Sequence, residues 1–130
     1  MTELIITKPD DMHLHLREGD ILKHVIKDTI KQFARAIVMP NLQDPIKSVN
    51  QAERYYQEIK KNTINLNFEP LMTLFFNNTL NSDEIKKVSD STFIHGIKLY
   101  PSGVTTNSND GIDAIEECFN IFELMQKFDV

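Results

Sequence analysis

This chain of 130 residues has one cysteine, no excess of basic over acidic residues and no long apolar run. The single cysteine, Cys118, rules out a disulfide within the chain and is typical of a reducing setting. No apolar stretch approaches the roughly 18 residues that a membrane-crossing helix needs. The N-terminus lacks a basic segment followed by a long apolar run, so we expect no signal peptide. Together these absences favour a soluble, cytoplasmic protein.

The charge balance excludes another class of partner. The net charge is −5 and the isoelectric point is near 5.3, and no basic stripe runs along the chain. Nucleic acid is therefore not an expected partner. The composition, 41% hydrophobic and 25% charged, is that of a globular domain with a real core.

Hydrophobic patterning predicts strands and helices in strict alternation. A short β-branched segment at 4–7 precedes predicted strands at 12–16, 36–39, 67–76 and 93–99. Helical spacing of apolar residues predicts helices at 21–33, 49–60, 82–88 and 112–127, with Ser48 as the N-cap of the second helix. We find no repeat, low-complexity tract or domain linker.

Alternating strands and helices predict an α/β fold with a parallel sheet. The two common forms are an open doubly wound sheet and a closed (β/α)8 TIM-type barrel. A Gly-rich phosphate loop is missing after the first strands, which weakens the nucleotide-binding form. Because a complete barrel typically needs about 250 residues, residues 1–130 are predicted to supply about the first four β/α units, the N-terminal half of a metal-dependent hydrolase barrel.

The run DMHLHLR at residues 11–17 carries the strongest chemical signal. In a strand, His13 and His15 leave on one face, and two converging imidazoles make half of a metal site. Arg17 falls on the same parity and offers a bidentate fork for a carboxylate beside the metal. The pattern indicates hydrolysis of a small anionic substrate.

Two further residues follow other predicted strands. In a β/α barrel the catalytic groups lie at the C-terminal ends of the strands, which is where Asn41 and Lys98 are found. Lys98 lies in an apolar run, and a buried lysine has a lowered pKa. The resulting neutral amine can take up carbon dioxide as a carbamate, whose two oxygens are able to bridge two metal ions.

Each of these residues has a simpler interpretation. His-x-His occurs often by chance, Lys98 is compatible with a surface position, and Asn41 with a residue that ends a turn after Pro40. His24 is expected on the surface. We expect His95 and Cys118 to pack in the core.

Four motifs in this order resemble the dihydroorotases, specifically the compact bacterial type within the amidohydrolase superfamily. They are PDDMHLHLR at 9–17, AIVMPNL at 36–42, PLMT at 70–73, and KLYP at 98–101 followed by TTNS at 105–108. The resemblance covers essentially the whole chain. His-x-His is widespread in the superfamily, whereas the PNL and KLYP…TTNS blocks are far more selective.

The resemblance implies a (β/α)8 barrel with two zinc ions, and the reversible cyclisation of N-carbamoyl-L-aspartate to L-dihydroorotate in pyrimidine (UMP) biosynthesis. It implies that His13 and His15 bind the more buried zinc and that carbamylated Lys98 bridges both ions. Further roles carried over by the resemblance belong to the substrate: Arg17 and Asn41 would hold its carboxylate, and Thr105 and Thr106 would lie in a mobile loop that closes over it. A homodimer is also implied.

The resemblance is partial in one respect. The family has two further zinc-binding histidines and an aspartate general acid/base, which no residue here matches. We therefore expect residues 1–130 alone to be inactive and prone to aggregation. Two alternatives stay open: a related cyclic amidase of the hydantoinase or dihydropyrimidinase type, and a catalytically silent barrel that acts as an assembly subunit.

Overall fold

Four parallel strands form the centre of the structure, a computed structural model that describes residues 3–130. Each strand pairs with the next along the chain, so the sheet order is β1-β2-β3-β4. The strands are β1 (Asp10–Leu14), β2 (Arg35–Val38), β3 (Glu69–Phe75) and β4 (Ile94–Lys98). The predicted α/β class with four parallel β/α units is confirmed.

Two of the helices between the strands begin at a residue whose side chain caps them. The Ser48 hydroxyl accepts a hydrogen bond from the Gln51 amide, and the Asn81 side chain accepts one from Glu84. The helices are α1 (Gly19–Gln32), α2 (Val49–Asn62), α3 (Ser82–Ser89) and α4 (Phe119–Phe128), with a 3-10 turn at Ile115–Cys118 before α4. Among residues 3–130, no helix is long and apolar enough to span a bilayer.

The β-branched segment at 4–7 forms no strand, and one predicted boundary was wrong. The last helix begins later than predicted, since Ile112 instead forms an isolated parallel bridge with Pro101 and is buried there. Tertiary pairing at Ile112 thus overrides its local helical periodicity.

The core lies between the sheet and its helices. One cluster packs α1 and α2 against the helix-facing side of the strands, and a second, smaller cluster packs α3 against α4. The fully buried members include Leu16, Leu22, Ile26, Ile59, Leu74 and Ile85. This packing fixes where each strand ends, and therefore where the side chains that follow it are presented.

Apolar side chains are exposed at both ends of the sheet. Met12 in β1 and Ile21 in α1 are 66% and 59% exposed, and Ile115 and Phe119 beyond β4 are 53% and 58% exposed. Within residues 3–130, β1 and β4 each pair with only one neighbour. Such open edges and apolar surface are what four units of a larger barrel are expected to present.

Candidate metal and substrate site

The two histidines of the first motif converge at the C-terminal end of β1. His13 lies within the strand and His15 directly after it. Their Nε2 atoms are 3.1 Å apart and their ring centroids 5.1 Å apart. The alternation predicted for the run thus brings both imidazoles to one side, as the sequence indicated. The Asp11 carboxylate accepts the backbone N–H of His13 at 2.9 Å and steadies the strand there.

The surroundings of His15 favour its neutral form. Partial burial, followed by the charges of Arg17, His13 and Lys98, holds the pKa of His15 below its ordinary value. A neutral imidazole is the form that binds a metal ion.

The pair fits two ligands of one zinc ion. Two nitrogens bound to tetrahedral zinc lie about 3.3 Å apart, close to the observed separation. Among residues 3–130, however, no group of three His, Cys, Asp or Glu side chains could hold a metal ion. A metal-bound imidazole ordinarily donates its other ring nitrogen to an acceptor, yet His15 Nδ1 is buried and finds none among the described residues. Residues 3–130 thus hold no complete metal site, and the fit to zinc is limited to the two imidazoles of His13 and His15.

Lys98 ends β4 on the same rim of the sheet. Lys98 is half-buried rather than fully buried, and its Nζ lies 5.7 Å from the centre of the Tyr100 ring. The sequence predicted a buried lysine, and the structure gives a half-buried one. Lys98 ends β4 and His15 directly follows β1, so both lie at the carboxyl end of the same parallel sheet, although they are 83 positions apart in sequence.

Asn41 follows β2 and is almost completely buried, with 1% of its surface exposed. Its amide nitrogen donates to the Thr106 carbonyl at 2.9 Å, and its amide oxygen accepts from the Tyr100 hydroxyl at 3.2 Å. Arg17 Nη1 lies 3.5 Å from the Asn41 carbonyl oxygen. Because an amide nitrogen carries two hydrogens, one N–H of Asn41 is left for a ligand.

A loop at 102–111 covers this region. Gly103 and Asn107 adopt left-handed backbone conformations, and the Ser108 hydroxyl bonds both the N–H and the carbonyl of Thr105. Gly111 has to lack a side chain, because a Cβ there would lie 2.4 Å from the Tyr100 carbonyl oxygen. The loop is thus closed on itself, while Thr105 remains exposed at its outer face.

The loop and the turn after β1 enclose a cleft of about 350 Å³. Its lining includes Arg17, Thr106 and Asn107, together with the apolar side chains of Ile21 and Leu42. Of the seven residues singled out from the sequence, Arg17 and Thr106 line this cleft and Asn41 bonds the loop beside it. His13, His15 and Lys98 lie at or just after the ends of β1 and β4, and Thr105 is exposed.

Several contributors could not be found from the sequence. The Tyr100 hydroxyl and the Asn107 side chain both bond Asn41, and Lys47 forms an ion pair with Asp110 in the loop. These residues lie 59 to 66 positions from their partners. No local pattern marks such contacts.

The remaining histidines and the cysteine lie elsewhere. His24 is on the exposed face of α1, as expected, and Cys118 is fully buried, as expected. The prediction that His95 packs in the core was wrong, because its side chain is exposed on β4. None of the three can substitute for a ligand beside His13.

No protein-family model matches the chain. Curated relatives do: the chain is 48% identical over 126 residues to a dihydroorotase of Cupriavidus necator, covering 96% of this chain and 37% of that protein. It is 45% identical over 131 residues to a dihydroorotase of a Picosynechococcus species, covering 100% of this chain and 38% of that protein. The chain thus spans a little over a third of these relatives.

Solved structures give the same answer. The crystal structure of Campylobacter jejuni dihydroorotase matches with a TM-score of 0.87 and 38% identity, covering 95% of this chain and 36% of that one. The Saccharomyces cerevisiae dihydroorotase complexed with 5-fluoroorotic acid matches with a TM-score of 0.84 and 32% identity, covering 94% and 34%. The four β/α units match a segment of the dihydroorotase barrel, and this chain is a homologue of the dihydroorotases.

Proposed function

We propose that residues 1–130 are the N-terminal half of a dihydroorotase barrel. The reaction is the zinc-dependent, reversible cyclisation of N-carbamoyl-L-aspartate to L-dihydroorotate in pyrimidine biosynthesis. The observation that carries the proposal is the 3.1 Å approach of His13 Nε2 to His15 Nε2, beside Arg17 at the carboxyl end of the first strand. A metal half-site next to a guanidinium suits an amide substrate that also carries a carboxylate.

His13 and His15 are the residues that would hold the more buried of two zinc ions. Lys98, as its carbamate, would bridge that ion and a second one. When bound, two zinc ions supply Lewis-acid polarisation of the scissile amide and lower the pKa of the attacking water. The remaining ligands and the general acid/base are expected from residues of the complete protein outside this segment.

The substrate's carboxylate is the group that Arg17 and Asn41 would recognise. The Arg17 guanidinium can form two parallel hydrogen bonds with a carboxylate. The free N–H of Asn41 can add a third, since its other N–H is used by Thr106. Arg17 lies in the turn after β1 and Asn41 follows β2, so the two groups would orient the ring before reaction.

Loop 102–111 would order over the bound substrate and exclude water from it. Thr106 already borders the cleft beside Arg17. Thr105 is exposed in the present arrangement, so its hydroxyl would reach the substrate only after the loop moves. A local movement of residues 103–105 would be sufficient, because Asn41 holds the loop at Thr106 and Asn107.

The surrounding biology is part of the same proposal. The partners are the small-molecule substrate pair and a second copy of the protein in a homodimer. The proposed setting is the cytoplasm, a reducing compartment that suits a chain with a net negative charge and a single cysteine. Nucleic acid is not an expected partner, because acidic residues outnumber basic ones in the chain.

A substrate panel tests the proposal. The full-length protein, loaded with zinc, is assayed with dihydroorotate, dihydrouracil and hydantoin. Turnover of dihydroorotate alone is expected, because only that ring carries the carboxylate for Arg17. A preference for hydantoin or dihydrouracil would instead establish a related cyclic amidase. A well-folded protein that retains no zinc and turns over none of the three substrates would establish a catalytically silent barrel.

A further inference from the structure

The turn that carries Arg17 has an unusual backbone. Arg17 adopts a left-handed conformation with φ of 60°, and Gly19 does so with φ of 56°. Glycine tolerates this conformation, but an arginine does not favour it, because its Cβ crowds the following carbonyl. The surrounding structure therefore has to hold Arg17 in place.

Two side chains of helix α2 provide that support. The Tyr55 hydroxyl donates a hydrogen bond to the Arg17 carbonyl at 2.7 Å, and the Glu58 carboxylate accepts the Gly19 N–H at 3.0 Å. Tyr55 and Glu58 are three residues apart and so share one face of α2. Between them they fix both peptide groups that frame the turn.

Tyr55 is the buried member of this pair. Only 4% of its surface is exposed, and it packs in the same core cluster as Leu16, which is fully buried just before Arg17. A buried hydroxyl with one well-defined partner is a rigid anchor. Glu58, by contrast, is only half-buried, so its bond to Gly19 competes with water.

The guanidinium that this turn presents lies in the candidate site. Arg17 Nη1 is 3.5 Å from the Asn41 carbonyl oxygen, and Arg17 lines the cleft beside Thr106. A change in the Arg17 backbone would displace the Cα from which the guanidinium extends. The Tyr55 hydroxyl bonds the carbonyl of that same residue.

We propose that Tyr55 is a positioning residue that aims Arg17 at the substrate's carboxylate. It touches no reacting atom and acts through the Arg17 carbonyl. The inference rests on the proposed function for the identity of the substrate. The clamp, by which we mean the bonds of Tyr55 and Glu58 to the turn at Arg17 and Gly19, follows from the contacts alone.

The full-length protein carrying Tyr55→Phe tests the inference, with Tyr56→Phe as the matched control. Tyr56 is the next residue of α2, and its hydroxyl bonds Glu69, at the opposite end of the sheet. Each change removes one oxygen atom from one tyrosine. For Tyr55→Phe we expect the KM for dihydroorotate to rise about 5- to 10-fold, the loss typical of one hydrogen bond, with kcat nearly unchanged. Tyr56→Phe should leave both constants unchanged.

A second measurement does not depend on turnover. Hydrogen exchange of the Gly19 amide should accelerate in Tyr55→Phe and stay unchanged in Tyr56→Phe. A Tyr55→Phe protein with wild-type KM, or one in which only the melting temperature falls, overturns the inference. Wild-type exchange at Gly19 in Tyr55→Phe also overturns it. If the wild-type protein does not turn over dihydroorotate, the proposed function fails, and the exchange measurement still decides the clamp.

Discussion

The side-chain amide of Asn41 donates a hydrogen bond to the backbone carbonyl of Thr106 at 2.9 Å, across 65 residues of sequence. Asn107 returns a bond from its own side chain to the Asn41 carbonyl at 3.2 Å. This reciprocal pair joins the end of β2 to loop 102–111. It places a residue expected to hold substrate in direct contact with the loop expected to close over it.

Replacing Asn41 by alanine should loosen the loop. The change leaves the buried Tyr100 hydroxyl without its partner, which costs about 1–3 kcal/mol of unfolding free energy, and frees the part-buried Thr106 carbonyl. Faster amide exchange across 103–111 and a lower denaturation midpoint are the expected results. Asn62→Ala is the control, because Asn62 bonds only the Glu58 carbonyl within its own helix. Equal exchange in the two variants would contradict this role for Asn41.

The Lys47–Asp110 ion pair should act as a weaker, salt-sensitive fastening of the same loop. The two side chains are 35% and 56% exposed, so removing the pair by Lys47→Met should cost only about 0.2–1 kcal/mol. Added salt should speed loop exchange in the wild type and have little effect in the variant. Lys23→Met is the control, since Lys23 pairs with Asp20 on its own helix. The charge-reversed double variant Lys47→Asp/Asp110→Lys should restore protection, and its failure would argue against the pair.

Loss of either histidine of the converging pair should empty the metal site. In the full-length protein we expect His13→Ala and His15→Ala to lower zinc content and to reduce turnover by more than the roughly 10–100-fold typical of a residue that only supports a ligand. His24→Ala is the control, because His24 is exposed on α1. Zinc per chain, measured by elemental analysis after dialysis, checks the prediction. Full zinc content in both site variants would refute it.

Every substitution of Lys98 should abolish activity, since only the primary amine of a lysine side chain forms the carbamate. Lys98→Arg keeps the charge but should lose activity as fully as Lys98→Met. Wild-type protein stripped of carbon dioxide and zinc should recover activity only when bicarbonate accompanies the metal. Lys87→Met, on the exposed face of α3, serves as the control. An active Lys98→Arg protein would show that no carbamate is needed.

Alkaline pH should destabilise the fold through two buried tyrosines. Burial raises the pKa of Tyr100 to about 12, and burial raises that of Tyr55 further. In the unfolded chain both ionise near pH 10, so their contribution to stability is complete below pH 10 and is lost as pH rises above it. The unfolding free energy should therefore fall between pH 10 and 12, and less steeply in Tyr100→Phe. Phenolate absorbance that develops near pH 10 with the fold intact would contradict this.

Much of the fold could be predicted because its determinants are local. The Ser48 cap and the apolar spacing after it gave the start of α2 correctly. Alternation along residues 12–16 placed His13 and His15 on one side, because successive residues of a strand face opposite ways. The parallel order followed from strict alternation of strands and helices.

The late start of α4 was decided by a partner that no local pattern reveals. Ile112 has helical spacing with the apolar residues after it, but its N–H bonds the Tyr100 carbonyl at 2.9 Å. A buried backbone bond outweighs a weak helical preference. His95 likewise became exposed because alternation fixes which residues share a face but not what covers that face.

The sequence by itself determined the chemical inventory of this protein: two imidazoles at strand spacing, an arginine two residues on, and a lysine at the end of the fourth strand. Only the tertiary structure decided how that inventory is held. The Tyr55 bond to Arg17 and the Asn41 bond to Thr106 span 38 and 65 residues. Periodicity encodes the conformation of neighbours in sequence, whereas such contacts arise only when the sheet brings distant strand ends together.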